Sequence, residues 1–242
     1  MRDKANPQES HKETCYQEPS KRYTLLVPGL DTSRITDALA FLRDVQLRVF
    51  GADVHDFRLN PPLPEADVMA FENVHNVSLP HDFRQFLTDV GNGGAGPFHG
   101  VFPLGKMDDN FGLGTWQEDD GFVGVLSAPF PLEEEWNDIS SQPSAELADQ
   151  DESEYWRQMD IFQNTYWGSS LVNGAIPICH EGCALRIWLV LTGTQAGYLW
   201  EDRRSECVGL KPLRLADGSP ATFTGWYDAW LNDCLNSEEN DQ

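Results

Sequence analysis

Apolar residues first recur with a helical period near the start of the 242-residue chain. Positions three and four residues apart, which form one face of a helix, are occupied by Ile35, Ala38, Leu39, Leu42, Val45 and Val49. This spacing predicts a helix that Ser33 caps and Gly51 ends. A second helix is predicted over residues 65–75. A third is predicted to begin at Pro80, because proline suits the first helical position.

The second and third helices should each bury one apolar face. In the second, the inward residues are expected to be Val68, Phe71 and Val74. In the third, they are expected to be Phe83, Phe86, Leu87 and Val90. We expect Gly91 to end the third helix with a positive φ, because glycine is the usual residue for a left-handed helix end.

The pattern changes to strands in the second half of the chain and returns to a helix at the end. Short apolar runs between glycine-containing turns predict strands at 98–104, 122–126, 175–179, 184–192 and 196–201. The run from 185 to 191 should be a central strand, and Pro177 should lie at a strand edge or end. Helical spacing over 223–234 predicts a closing helix. The fold class is therefore α+β, a mainly antiparallel sheet packed by N-terminal and C-terminal helices in a single domain.

Charge divides the chain further. The formal net charge is −22, and residues 108–160 carry fifteen acidic residues against Arg157 as their one basic residue. Residues 1–22 have too little apolar content to offset the entropy of ordering, so we predict a disordered leader. Residues 236–242 predict a disordered acidic tail for the same reason.

The acidity excludes some classes of partner. Nucleic acid and anionic membranes repel a strongly negative protein, so we expect a basic protein partner and neither direct nucleic-acid nor membrane binding. The longest apolar run is far shorter than the roughly 20 residues of a membrane helix. The N-terminus lacks the apolar core of a secretory signal. Five irregularly spaced cysteines favour a reducing compartment, and we therefore expect a cytoplasmic protein.

Three motifs suggest chemistry, and each fits a structural role better. The glycine-rich stretch 91–96 follows a helix, whereas a phosphate-binding loop precedes one and usually has a lysine behind it. Cys179 and Cys183 lack the usual zinc-knuckle spacing and a second pair nearby. The acidic runs 118–120 and 133–135 match no calcium-loop pattern. We therefore predict no catalytic site, no metal and no cofactor.

Tryptophans within the acidic segment are the best candidates for a binding surface. Aromatic residues exposed beside charge are typical of protein interfaces. The alternative, which the sequence leaves equally open, is that these rings pack beneath long loops as a small second core. The candidate partner-binding residues are Trp116, Trp136, Trp156, Glu118, Asp119, Asp120, Glu133, Glu134 and Glu135.

Two blocks of sequence have a distinctive order of motifs. Residues 79–87 (LPHDFRQFL) and 90–104 (VGNGGAGPFHGVFPL) combine a leucine–proline helix, a glycine-rich loop and a following turn, and residues 182–202 combine a Gly-Cys pair with two strands. These blocks resemble the signature of the SUKH superfamily, which is named partly for a fungal cell-wall-synthesis regulator of the Smi/Knr type. The matching motif residues are Leu79, Pro80, Phe83, Phe86, Leu87, Gly91, Asn92, Gly93, Gly94, Gly182, Cys183, Gly193 and Trp200.

The resemblance implies a SUKH-like α+β domain over residues 23–235, with 108–160 as an insert-like acidic segment. Most bacterial members are regarded as immunity proteins of polymorphic toxin systems, which bind and silence a toxin domain, often a nuclease. Fungal members act in cell-wall signalling through protein contacts, and neither group carries a catalytic site. We therefore predict a non-enzymatic immunity protein against a basic, nuclease-type toxin. The alternative is a regulatory scaffold of the cell-wall type.

Overall fold

The computed structural model of the chain describes residues 30–109, 112–115 and 123–240. The predicted leader, residues 1–22, lies outside them. The helices of these ranges are α1 (Thr32–Asp44), α2 (Ala52–His55), α3 (Glu65–His75), α4 (His81–Gln85), α5 (Ala145–Gln150), α6 (Glu152–Tyr166) and α7 (Phe223–Asn240). The strands are β1 (Lys106–Asp109), β2 (Gly112–Thr115), β3 (Ala175–Gly182), β4 (Leu185–Val190), β5 (Leu199–Arg203) and β6 (Gly209–Pro212).

The main sheet is antiparallel and has four strands in the order β3-β4-β5-β6. Strand β4 lies inside the sheet, as its apolar run predicts, and Leu189 is fully buried. Pro177 lies on the edge strand β3, where the register shifts between Pro177 and Cys179. Both expectations are confirmed, since an edge strand tolerates a missing ladder donor. The mixture of flanking helices and an antiparallel sheet confirms the α+β class.

One side of the sheet, which we name the helical face, packs against α1, α3, α4 and α7. Ile187 and Leu189 point to this side and join the larger core. Phe223 of α7 contacts Phe83 and Phe86 with ring centroids 5.0 and 4.9 Å apart. Phe86 is fully buried, which confirms the prediction for the third helix.

Residues 123–172, which we name the acidic layer, cover the other side of the sheet. Trp188 and Val190 point to this side, because neighbouring side chains along a strand alternate between faces. They form a smaller core with Phe130, Val172 and Trp200. The sheet therefore separates two cores of different size.

The first helix begins and ends earlier than predicted. Its cap is Asp31, whose Oδ1 accepts a hydrogen bond from the Arg34 backbone N–H at 3.0 Å, so the prediction of Ser33 is wrong. The helix ends at Asp44, and Gly51 instead precedes α2 with a φ of 80°. The second predicted helix is α3 and has the predicted bounds, but Val74 is 77 % exposed rather than inward.

Gly91 does not have the predicted positive φ. After α4 the chain continues as a π-helical turn from Phe86 to Val90, and Gly91 follows it in extended conformation with a φ of 177°. Its N–H donates to the Phe86 carbonyl at 2.9 Å. A Cβ at Gly91 would lie 2.8 Å from the backbone oxygen of Asn60. Close approach of another backbone, rather than a left-handed turn, therefore requires the glycine.

Several predicted strands and boundaries differ from the structure. Residues 98–104 form no strand, and Val101 makes isolated bridges to Gly94 and Cys179. Residues 123–126 are also irregular. The hairpin of β1 and β2, the strand β6 and the helices α5 and α6 were not predicted. Helix α7 continues to Asn240, so it extends into the segment 236–242 expected to be a tail.

Candidate partner-binding surface

The motif residues of the first block lie where the helices of the helical face pack against one another. Leu79, Phe83 and Leu87 are buried in the larger core. Asp82, between them, accepts hydrogen bonds on Oδ2 from the N–H and the hydroxyl of Thr224 at 3.0 and 3.2 Å. This carboxylate satisfies a free donor at the start of α7, as a capping side chain does. The leucine–proline motif therefore fixes α4 to the closing helix.

The glycine-rich loop is also held by the fold. The side-chain oxygen of Asn92 accepts from the Leu104 N–H at 2.8 Å. Gly94 has a φ of 103°, and a Cβ there would lie 2.8 Å from the Cα of Leu59. The Tyr227 hydroxyl donates to the carbonyl of Ala95 at 2.8 Å. The loop packs between α7 and the chain around residue 59, which favours a structural role over phosphate binding.

The second block supplies the turn between β3 and β4 and a buried ring of the smaller core. Gly182 and Leu185 pair across a two-residue loop of Cys183 and Ala184, which have φ values of 51° and 62°. Trp200 is fully buried, and its ring lies 4.9 Å from that of Phe130 in the smaller core. The remaining residues of the motif, Pro80, Gly93 and Gly193, lie at the N-terminal boundary of α4, in the glycine-rich loop and after β4.

The acidic layer is built around α6. Asp151 caps this helix by accepting from the Glu154 backbone N–H at 3.1 Å. Phe162 and Tyr166, one turn apart, are its buried residues, and their rings stack at 5.0 Å. The Tyr166 hydroxyl donates to Asn137 Oδ1 at 2.6 Å. The helix therefore packs through its C-terminal half and holds the preceding loop beside it.

A buried ion pair fixes α6 to the sheet. Arg204 donates through Nε and Nη2 to the two carboxylate oxygens of Asp202 at 2.9 and 2.6 Å, and both side chains are 1 % exposed. Trp188 Nε1 also donates to Asp202, at 3.2 Å. Arg204 Nη1 donates to the carbonyl of Tyr166 at 3.2 Å, and its guanidinium lies 4.9 Å from the ring of Trp167. Each guanidinium nitrogen and both carboxylate oxygens thus have a hydrogen-bond partner, which offsets the cost of burying the charges.

The outer surface of this layer is strongly negative. Residues 123–166 contain ten acidic residues and one basic residue. All of the acidic residues are exposed except Glu154, which is half-buried. Arg157 donates to both carboxylate oxygens of Glu154 at 2.7 and 2.6 Å, which lowers the pKa of Glu154 to about 2. The hydroxyl and the backbone N–H of Ser140 donate hydrogen bonds to the Asp138 carboxylate, and these bonds lower the pKa of Asp138.

The structure separates the predicted partner-binding residues. Trp136 is half-buried, bridges to Leu210 of β6 and packs on Tyr166 with ring centroids 5.4 Å apart. Trp156 is 55 % exposed. The carboxylates of residues 133–135 are exposed, and Glu133 accepts from the Thr194 hydroxyl at 3.1 Å. Trp116, Glu118, Asp119 and Asp120 lie outside the described residues.

Sequence reasoning missed two residues beside Trp156. Glu152 and Asp160 lie four residues before and after it on α6, and both are exposed. Residues four apart on a helix are neighbours on its surface, so the three form one row. The spacing of four residues is visible in the sequence, but it makes the three side chains neighbours only if the segment is helical.

The two cysteines of the rejected zinc motif differ in environment. Cys179 is buried, and its sulfur lies 3.2 Å from the Pro97 carbonyl, whereas Cys183 is exposed. Within residues 30–109, 112–115 and 123–240, no group of three metal-binding side chains is assembled. None of the helices in these same ranges is long and apolar enough to cross a membrane.

Comparison with known proteins adds no relative. The chain matches no protein-family model, no curated protein and no solved structure. The residues, their geometry and the resemblance of the two motif blocks are what indicate a function for this protein.

Proposed function

We propose that this protein is an immunity protein that binds and neutralises a basic, nuclease-type toxin of a polymorphic toxin system, without chemistry of its own. The observation that carries the proposal is the exposed charge of the acidic layer, ten carboxylates against one arginine in residues 123–166. A nuclease presents cations to phosphate. A rigid negative surface can occupy the same groove and exclude the nucleic acid.

The way the layer is attached supports the proposal. Like charges packed on one surface repel each other and weaken the free fold. Here the buried pair of Asp202 and Arg204 and the packing of Tyr166 hold α6 in place despite that repulsion. Binding to a positive surface would relieve the repulsion. The motif blocks, by contrast, are occupied with packing the two cores, which leaves the acidic layer as the candidate surface for a partner.

The test uses the product of the adjacent gene as the candidate toxin. We expect its expression to stop growth, co-expression of this protein to restore growth, and the two proteins to purify together. The proposal is wrong if the neighbouring product is neither toxic nor bound. A growth or cell-shape defect on deletion, in the absence of any toxin, would instead support the regulatory scaffold.

A charge variant then tests the face. Replacing Glu133, Glu134 and Glu135 by glutamine should slow association with the toxin and flatten its salt dependence, with little change in dissociation. Attraction between opposite charges raises association rates by about 10- to 1000-fold at low salt. An unchanged association rate at low salt would contradict the choice of this face and leave the immunity function intact.

A further inference from the structure

The exposed row on α6 combines an indole with two carboxylates. Trp156 is 55 % exposed, and Glu152 and Asp160 flank it at one helical turn on either side. The neighbouring cation, Arg157, is bound by Glu154 on an adjacent part of the helix surface. The row therefore presents negative charge and an aromatic face to solvent.

The interior of the protein contains a similar pair of an indole and a carboxylate, and there the pair binds a guanidinium. There the guanidinium of Arg204 lies 4.9 Å from the ring of Trp167 while the carboxylate of Asp202 binds it at 2.6 Å. A carboxylate and an indole together accept a planar cation, because the ring attracts positive charge and the oxygens accept its N–H groups. The row on α6 has the same two acceptors facing outward.

We propose that Glu152, Trp156 and Asp160 form a docking site for an arginine side chain of a basic protein partner. This inference rests on the proposed function for the nature of the partner. Charge complementarity decides the occupant, since the acidic layer, including the row, has ten acidic residues and one basic residue. Arginine fits better than lysine, because its planar guanidinium can stack on the indole and donate to a carboxylate at once.

Trp156 and Trp136 differ in how much of each ring packs against the rest of the protein. Trp136 packs on Tyr166 and bridges to β6, so its ring is used by the fold. Trp156 touches Tyr155 edge-on at 5.2 Å, and more than half of its surface remains open. Of these two tryptophans, Trp156 therefore offers the larger contact area to a partner.

The experiment uses octa-arginine amide as the probe and the full chain at low salt. Binding is measured by calorimetry and by the indole N–H signals in a proton–nitrogen spectrum, where Trp156 is assigned by its absence in Trp156→Phe. We expect the Trp156 signal to shift most. We expect Trp156→Ala to weaken binding about threefold to fivefold, as an exposed cation–π contact implies.

A matched pair of variants separates the row from general attraction. Glu152→Gln/Asp160→Asn and Glu146→Gln/Asp149→Asn remove the same charge from the same layer, and only the first touches the row. The first should weaken binding more than the second, and octa-lysine amide should bind less well than octa-arginine amide. Thermal unfolding followed by circular dichroism checks that each variant folds.

Three results would overturn the inference: no binding of octa-arginine, equal weakening by the two double variants, or unchanged binding by a folded Trp156→Ala. None of them involves the toxin, so failure of the docking row and failure of the immunity function are distinguished. If the toxin is bound and the row fails, another part of the protein surface makes the contact.

Discussion

The two sides of the sheet are held together by different physical means. On the helical face, apolar helices bury rings such as Phe86 and Tyr227 against one continuous core. On the other side, the core is smaller, and the acidic layer is joined to the sheet by the hydrogen-bonded pair of Asp202 and Arg204. A hydrophobic contact tolerates many arrangements, whereas a bidentate ion pair fixes one. The acidic layer is thus positioned by a few directed bonds.

Charge follows the same division. Residues 30–107 have ten acidic and six basic residues, and residues 123–166 have ten against one. On the helical side Arg84 pairs with Glu65 at 2.5 Å and with Glu72 at 3.4 Å. In the acidic layer most carboxylates face solvent without a basic neighbour in sequence. The comparison indicates that the helical face serves mainly to pack the core, whereas the acidic layer exposes negative charge to solvent.

The largest expected effect breaks the helical face. Phe86→Ala leaves a cavity beside Phe223 and Tyr227 and should lower the free energy of unfolding by about 3–5 kcal/mol, because Phe86 is fully buried. Phe50→Ala is the matched control, since that ring is 66 % exposed. It should change stability by less than about 1 kcal/mol. Urea unfolding measures both, and equal losses would contradict the assignment of the core.

The second effect breaks the acidic layer. Asp202→Asn removes the negative charge beside buried Arg204 and should cost about 3 kcal/mol, near the lower end for a broken buried pair because asparagine still accepts one hydrogen bond. Glu206→Gln breaks the exposed pair with Arg203 and should cost at most about 1 kcal/mol. In hydrogen exchange, α6 should lose protection first in Asp202→Asn. Unchanged protection of α6 would show that the ion pair does not hold the layer.

A third change tests why the glycine-rich loop contains Gly91. Gly91→Val should lower stability by about 2 kcal/mol, because its Cβ would lie 2.8 Å from the Asn60 oxygen although its φ of 177° suits any residue. Gly105→Ala is the control, with a φ of 79° and open space around its Cβ. It should cost about 1 kcal/mol from backbone strain alone. A neutral Gly91→Val would contradict the close approach.

The smallest effect concerns the carboxylate of Glu181 at the end of β3. Burial, then the charge of Glu201, raises its pKa from 4.5 to about 7, against the opposing effects of Arg203 and Lys211. Because the folded state binds the proton more tightly, this group's contribution to stability is present below pH 4.5 and lost as the pH rises to about 7. Glu181→Gln should therefore remove part of the decline in unfolding free energy between pH 5 and 7.

The control for this pH effect is Glu134→Gln, an exposed carboxylate that is not among the charges acting on Glu181. Its stability should follow that of the natural protein over the same pH interval. Parallel pH profiles for Glu181→Gln and the natural protein would show that Glu181 titrates as an ordinary exposed carboxylate.

Periodic apolar patterns predicted the helical face well. Apolar spacing, an apolar run and the helix-start signal of Pro80 predict helix α3, the region of α4, strand β4 and helix α7, because their buried residues are apolar and closely repeated. The acidic layer was not predicted. Helix α6 has only Phe162 and Tyr166 as buried residues, so its polar sequence predicts a loop. A helix held by directed bonds from its C-terminal end leaves little periodic signal.

Composition and local period suffice to predict the α+β class, the central strand around Leu189 and the concentration of negative charge in residues 108–160. Only in the folded chain does the backbone of Asn60 require Gly91, and only there does Arg204 reach Asp202 and Tyr166 together. The fold likewise turns Trp136 inward and leaves Trp156 exposed to solvent. Such outcomes depend on which distant segments meet, and a local pattern carries no information about contacts that only the folded chain brings together.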